Sequence, residues 1–379
     1  MHRLATAKVH LDRIKKNILN IKAYTKAKSV CVMVKANAYG HGAEAVAKAV
    51  ESIGVDSLGV ISVEEAILLR DSGVKAPIWM FANLWEKTPE SLDKYSVIPM
   101  IGSLCSLENY LSYNSKLPFH IKINSGMNRF GFKLEDLSEL KSLLSKFSVT
   151  QIDGVCSHLY RGEDYDQPNG DSKRQKAYTL EFIEKLDLPF KHLHFHKSAS
   201  SLRLDPAEEP EQFIRLGIAS YGIRPEKSFE ISDLNLLPAM ELCSVISGIQ
   251  SIKKGEGVSY SSTFVAQRDS LIGVVQLGYA DGLHRRLSNL AKFLVHGQFV
   301  KQIGNICMDY CMVDLTDLNK KVELGDEVVI FGQQDDKINS VEELAQLAGT
   351  IPYELLTSIG SRVQRKYIDG ESQSEQQLS

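Results

Sequence analysis

Residues 34–42 read VKANAYGHG and follow directly on the apolar run SVCVMV. Lys35 therefore places an amine where a strand is expected to stop, at the edge of a core. Burial there disfavours the ammonium form, and cationic neighbours disfavour it further. A neutral lysine amine attacks aldehydes and forms a covalent imine with them. A lysine that merely extends its ammonium into water needs no special surroundings. Here Gly40 and Gly42 permit close backbone approach to a ligand, and Tyr39 adds an aromatic body with a hydroxyl tip.

The elements that must hold such a lysine are legible nearby. Short apolar runs occur at 29–35, 57–61, 77–81, 97–101, 119–124, 152–158, 191–196 and 213–218. Most are continuous rather than alternating, as in strands buried on both faces. Helix patterns lie between them. In 43–53, Ala43, Val46, Ala47, Val50 and Ile53 share one face. Ser62 and Glu65 form a capping-box signature, and Thr88-Pro89 reads as an N-cap followed by proline at the first helical position. The repeated strand–helix alternation predicts a parallel (β/α)8 barrel of the TIM type. Active sites of such barrels form at the C-terminal ends of the strands. On that frame Lys35 ends the first strand, Lys122 lies near the end of the fifth and Arg129 follows it. His158 ends the sixth, Lys197 and Ser198 follow the seventh, and Arg215 sits in the eighth.

The rhythm changes after about residue 235, where β-rich segments such as SLIGVVQLGYA and DEVVIFG are spaced by Gly and Asp. The expectation is an α/β chain with a barrel over 8–235 and a mostly antiparallel β domain over 236–368, interrupted by a short helix in VEELAQLAGTI. The polar tail 369–379 is expected to be disordered.

Composition narrows the function classes. The chain has 379 residues, with Lys+Arg 44 against Asp+Glu 47 and a net charge of −3. That balance points to neither nucleic acid nor an anionic membrane surface. No apolar stretch approaches the ~20 residues of a membrane span, and MHRLATAKVHLDRIKKN lacks the apolar segment of a secretory signal. Cysteines 31, 105, 156, 243, 307 and 311 are dispersed. Cys307 and Cys311 are close but have no matching second pair for zinc. They read as free thiols in a reducing, cytoplasmic protein without a metal.

VKANAYGHG closely resembles the pyridoxal-phosphate lysine motif of bacterial alanine racemases. IKINSGMNRFGF (121–132), GVCSH (154–158), SASSLR (198–203), IRLGIASYGIRP (214–225), GEGVSYSSTF (255–264), LGYADG (277–282) and GNICMDY (304–310) resemble the family's later motifs, in the same order. The resemblance spans roughly residues 5 to 367. It implies a barrel followed by a β domain, in a head-to-tail homodimer with shared active sites. It also implies that the N-terminal strand, around ATAKVHLD at 5–12, packs with the C-terminal domain.

The resemblance further implies an isomerase that interconverts L- and D-alanine and supplies D-alanine for cell-wall peptidoglycan. Lys35 would bind pyridoxal 5'-phosphate covalently and then serve as one of two acid/base groups. Tyr260 of the partner subunit would be the other. Racemisation requires a proton to leave one face of a planar carbanion and another to reach the opposite face, which two bases on opposite sides accomplish. Both groups have reference pKa values near 10, and His158 and Arg215 are the expected adjusters. An arginine at the pyridine nitrogen keeps that nitrogen unprotonated, weakens the electron sink and limits side reactions. Arg129 would hold the substrate carboxylate and the cofactor's phenolic oxygen, for which a planar guanidinium is suited. Lys122 matches a lysine that many family members carbamylate, which would turn a repelling cation into a partner for Arg129. The phosphate would be held by the Tyr39 hydroxyl, Ser198 and backbone N–H groups around Gly217 and Ile218. Tyr279, Met308 and Asp309 of the partner subunit would line the substrate entrance.

Two positions depart from the family pattern. Lys197 stands where an asparagine is usual, and Ser361 where a phosphate-binding tyrosine is frequent. A shorter side chain leaves space, so a wider range that includes serine is one alternative. Lysine binds phosphate as a point charge, so Lys197 would compensate. A non-catalytic pyridoxal-phosphate homeostasis protein is a second alternative, although such proteins resemble the barrel alone. A barrel-type decarboxylase is a third and would place a carboxylate, not Arg215, at the pyridine nitrogen.

Overall fold

The computed structural model describes residues 4–84, 88–115, 117–165, 167–197, 200, 202, 213–225 and 234–370. The chain divides into two compact units: residues 14–38 with 43–237, and residues 1–13 with 39–42 and 238–379. The first strand, β1 (Thr6–His10), belongs to the second unit.

The first unit is the barrel. Its strands are β2 (Ser29–Met33), β3 (Ser57–Val60), β4 (Ile78–Met80), β5 (Val97–Ile101), β6 (His120–Lys122), β7 (Ile152–Cys156), β8 (Phe190–His194), β9 (His196–Lys197) and β10 (Phe213–Leu216). They pair in the order β8-β7-β6-β5-β4-β3-β2-β10-β9. Every pairing is parallel. Because β9 continues β8 after Phe195, the two ends of the sheet meet and the barrel closes with eight strands. The continuous apolar runs have the expected consequence: β3, β7 and β10 are buried at every residue. Cys31, Trp79, Met100, Cys156 and Phe213 pack together in the interior.

Several strands stop short of the apolar runs that foretold them. The run 152–158 becomes Ile152–Cys156, and 29–35 becomes Ser29–Met33. The last residues of each run leave the ladder and turn across the C-terminal mouth, carrying Lys35 and His158 with them. The helix Ala43–Ser52 buries Val46, Ala47 and Val50 on the face that the spacing predicts. Ser62 caps the next helix, its Oγ accepting from the Glu65 N–H at 3.3 Å. Glu65 does not return that bond to Ser62. Its carboxylate accepts from the N–H groups of Ile61 at 2.8 Å and Ala36 at 2.7 Å.

The second unit adds β11 (Met240–Ile252), β12 (Gly257–Val258), β13 (Phe264–Val265), β14 (Ser270–Val275), β15 (Lys292–Val295), β16 (Gln298–Ile303), β17 (Cys311–Asp314), β18 (Glu327–Gln334), β19 (Lys337–Asn339) and β20 (Gln364–Ile368). Nine of its strands, β1 among them, run in the order β19-β18-β15-β16-β17-β14-β11-β1-β20, and β11 also pairs with β18. The pairings are antiparallel except β1 with β20. β1 alternates strictly, with Ala7 and Val9 facing inward. Val341–Leu347 forms the expected helix, and a second helix, Pro352–Ser358, was not foreseen. Among the described residues no helix is long and apolar enough to cross a membrane.

Candidate active site

At the C-terminal mouth of the barrel, the Val34 N–H donates to the Gly59 carbonyl at 2.9 Å, so Lys35 is the first residue free of β2. The chain then turns the wrong way for L-residues. Ala36, Asn37 and Ala38 have φ/ψ of 51/50, 54/46 and 52/52 degrees, and Tyr39 has φ 53 degrees. A left-handed conformation costs roughly 1–2 kcal/mol per non-glycine residue. Specific bonds hold it. Glu65 takes the Ala36 N–H, the Ala38 N–H returns to the Val34 carbonyl at 2.8 Å, and Asn37 Oδ1 accepts from the Ala43 N–H at 2.8 Å. The backbone that presents Lys35 is thereby fixed before any ligand arrives.

Gly40 and Gly42 correct an expectation. A Cβ on Gly40 would lie 2.1 Å from the Leu356 carbonyl oxygen, and one on Gly42 would lie 1.9 Å from the Tyr367 hydroxyl. Their small size admits the protein's own atoms, not a ligand. The Tyr39 ring lies 6.0 Å from that of Tyr353.

Cations gather around Lys35. Lys122 ends β6 and is buried; burial, with Arg215 and Arg129 nearby and Cys156 opposing, pushes its amine down to about 8. Burial also lowers Lys35, helped by Arg129 and Arg215 and opposed by Glu65. Arg129 is carried by a loop that folds back on β6. The Phe132 N–H donates to Lys122 O at 2.8 Å, and the Asn124 N–H donates to Phe132 O at 2.9 Å. Gly131, with φ +133 degrees, permits this, since a Cβ there would meet the Asn124 nitrogen at 2.6 Å. Lys122 and Arg129 each lie 5.8 Å from the centre of the Phe130 ring.

Arg215 projects from β10 and is buried. One terminal nitrogen donates to His194 O and sits against His194 Nδ1, both at 2.6 Å. The other donates to Ser157 O at 2.7 Å and lies 3.5 Å from His158 Nδ1. Gly217 and Ile218 open the short turn Ile218–Tyr221, whose Tyr221 hydroxyl donates to Met33 O at 2.8 Å. The barrel thus brings Lys35, Lys122, Arg129, His158, Arg215, Gly217 and Ile218 to one end. Ser198 lies outside the described residues, and of Lys197 only the backbone is described.

Tyr260, Tyr279, Met308 and Asp309 collect in the second unit. The Tyr279 N–H donates to Cys307 O and the Ala280 N–H to Met308 O, both at 3.0 Å. Asn305 Nδ2 donates to Tyr260 O at 2.8 Å. Tyr260 is 71% exposed and Met308 53%. Arg362 reaches Asp309 at 2.5 Å, and Ser361 beside it is exposed. The sequence reading did not single out Glu65 as more than a cap, nor Tyr353 or His194 at all. Only Glu65 left a signal, and it was read as belonging to its own helix.

Four cations at one mouth make a site for an anion. Among the described residues, Glu65 is the acid that acts on Lys35. Comparison with known proteins supplies the remaining evidence. Residues 9–225 match the family model described as alanine racemase, N-terminal domain, and 239–367 the model for alanine racemase, C-terminal domain. The alanine racemase of Thermodesulfovibrio yellowstonii is 37% identical over 378 residues, which is 97% of this chain and 99% of that protein. The solved alanine racemase of Clostridium difficile 630 has a TM-score of 0.89 at 31% identity, covering 97% of this chain and 96% of that one. The Bacillus anthracis alanine racemase solved with bound L-Ala-P has a TM-score of 0.88 at 30% identity, with 97% and 96% covered. With both family models matched in order across nearly its whole length, the chain belongs to the alanine racemase family of isomerases.

Proposed function

We propose that the chain interconverts L- and D-alanine with pyridoxal 5'-phosphate, using Lys35 and Tyr260 of the partner subunit as the two acid/base groups. The family depends on this cofactor, which when bound draws away the electron pair left on the substrate's Cα. The observation that carries the reading is the Lys35 amine on its fixed backbone, lowered by burial and by Arg129 and Arg215 beside it. That charge distribution fits a phosphorylated, phenolic aldehyde, which is anionic and needs a neutral amine to attack it. The bound L-Ala-P of the Bacillus anthracis relative supports an alanine-like substrate.

In this reading Lys35 holds the cofactor and then moves a proton at one face of Cα. Arg215 serves as a donor that does not give up its proton, with His158 beside it. Arg129 orients the substrate carboxylate. A carbamate on Lys122 gives Arg129 a counter-charge, and an amine lowered to about 8 has the free base that carbamylation needs. Ser198 and the backbone of Gly217 and Ile218 would take the phosphate. The exposed Tyr260, Met308 and Tyr279 with Asp309 support a homodimer in which Tyr260, Tyr279, Met308 and Asp309 of the partner subunit complete the entrance. The six unpaired cysteines support a reducing, cytoplasmic setting, where D-alanine is used for peptidoglycan.

The test is to follow inversion and α-proton exchange together, with L-alanine and L-serine, in deuterated water. Lys35→Ala is expected to lose the visible absorbance of the covalently held cofactor. Tyr260→Phe is expected to keep that absorbance and lose inversion, while still exchanging the α-proton of one enantiomer. Exchange from both enantiomers at equal rates in Tyr260→Phe, or undiminished racemisation, overturns the two-base assignment.

A further inference from the structure

Arg215 is not held by backbone alone. Behind it, His194 Nε2 lies 2.8 Å from His120 Nδ1, and His120 Nε2 lies 3.0 Å from Asp153 Oδ2. His120 and His194 are fully buried. Trp79 packs against both, with ring centres 4.6 and 4.9 Å away. Gly154 makes room, since a Cβ there would sit 2.5 Å from His120 Nδ1. Asp153 stands at the start of β7, at the opposite end of the barrel from Lys35. There it lines a cavity of about 550 Å³ together with Lys191, whose amine is 3.5 Å away.

We propose that Asp153, His120 and His194 form a one-directional hydrogen-bonded chain through the barrel interior that positions Arg215 from behind. The direction follows from chemistry. A guanidinium only donates, so His194 Nδ1 accepts. A neutral His194 then carries its proton on Nε2 and gives it to His120 Nδ1. His120 must in turn be protonated on Nε2, which donates to the Asp153 carboxylate. An extra proton on His120 would set two N–H groups against each other in the closed core, so both rings stay neutral. The Asp153 carboxylate raises His120, but burial outweighs it and the neighbouring cations favour the neutral rings. Burial lowers both imidazoles; Arg215 lowers both as well, and Lys122 and His192 add to this at His194. With one terminal nitrogen committed to His194 and the other to Ser157, Arg215 keeps only its remaining N–H groups for a ligand. The chain carries the carboxylate's influence to the arginine through two polarisable rings. It acts on catalysis only through Arg215, and so rests on the reading that Arg215 faces the cofactor.

The experiment uses full-length protein labelled with 15N-histidine, with His120 and His194 assigned from H120Q and H194Q. Both rings are expected to be neutral and protonated on Nε2 between pH 6.5 and 8. In D153N the His194 signal is expected to move although Asp153 does not touch it, while kcat falls about tenfold and KM holds within about twofold. Should D153N fail to fold, G154A crowds the His120 ring without removing charge and is expected to give the same two changes. A proton on Nδ1 of either ring, an imidazolium, or D153N with unchanged His194 signal and kcat overturns the proposal. The tautomer measurement needs no turnover, so an inactive wild-type protein would count against the proposed function and leave this result standing on its own.

Discussion

The left-handed turn after Lys35 makes a prediction whose sign differs from residue to residue. Ala36 is exposed and its methyl packs on little, yet its φ of 51 degrees carries the left-handed penalty. Replacing it with glycine removes roughly 1–2 kcal/mol of strain. Glycine returns about 0.5–1 kcal/mol to the unfolded chain as backbone freedom. The net expectation for Ala36→Gly is a gain of about 0.5–1 kcal/mol. Ala38 has the same backbone conformation but is fully buried, and losing its methyl costs about 0.8 kcal/mol. Ala38→Gly should therefore be close to neutral. Asn37→Gly loses the side-chain bond to the Ala43 N–H, a cap worth about 1 kcal/mol, and should destabilise slightly or break even. Urea unfolding of the three variants followed by tryptophan fluorescence and circular dichroism measures the order directly. A looser turn holds Lys35 less firmly, so the stabilised Ala36→Gly should lose part of its kcat. An Ala36→Gly variant less stable than the parent would refute the reasoning, because glycine can weaken this site only if residue 36 has ordinary right-handed or extended backbone.

Gly40→Ala drives a Cβ into the Leu356 carbonyl and keeps φ at +85 degrees; a loss of about 2–4 kcal/mol is expected in the same assay. Gly54→Ala, with φ +71 degrees and open space around it, should cost only about 1 kcal/mol. Acid should weaken the fold early. Buried, lowered His120 and His194 stay neutral while their unfolded counterparts take up protons near pH 6.5, so stability is full above that value and falls below it. Asp153, lowered by its bond to His120, adds a further loss at pH values below the ordinary carboxylate range. The urea midpoint at pH 5 should lie below that at pH 7.5, and H194Q should shrink the difference; equal midpoints would contradict the buried neutral rings. Carbamylation of Lys122 should make activity rise with bicarbonate after carbon dioxide is stripped, with a carbamate signal in 13C spectra of labelled protein; a flat response removes the modification.

The barrel was legible because most of its strands are buried on both faces, so their apolar runs stand out without any partner information. All eight runs contain a strand, and the errors lie at their ends, where chemistry rather than the ladder decides the backbone. Lys35, Lys122 and Arg215 were visible as charges at the margins of apolar runs. His120 and His194 were not, because a histidine within HIK or KHLHFH reads equally well as a filler of a strand. Its partner lies two strands away across β7, and only the pairing of β6, β7 and β8 brings the two together. Glu65 reads as a cap from local spacing, while one destination of its carboxylate, the Ala36 N–H in the turn after β2, lies 29 residues earlier. Gly40 and Gly42 were misread for the same reason, since Leu356 and Tyr367 are remote in sequence.

The position of β1 governs the order in which this protein can be made. Ala7 pairs with Leu242 on one side and Arg365 on the other, so a strand made before the barrel must wait for partners made after it. β1 therefore remains unpaired while the barrel is being synthesised, and a chain cut short before residue 364 leaves an open strand edge ready to associate with other nascent chains.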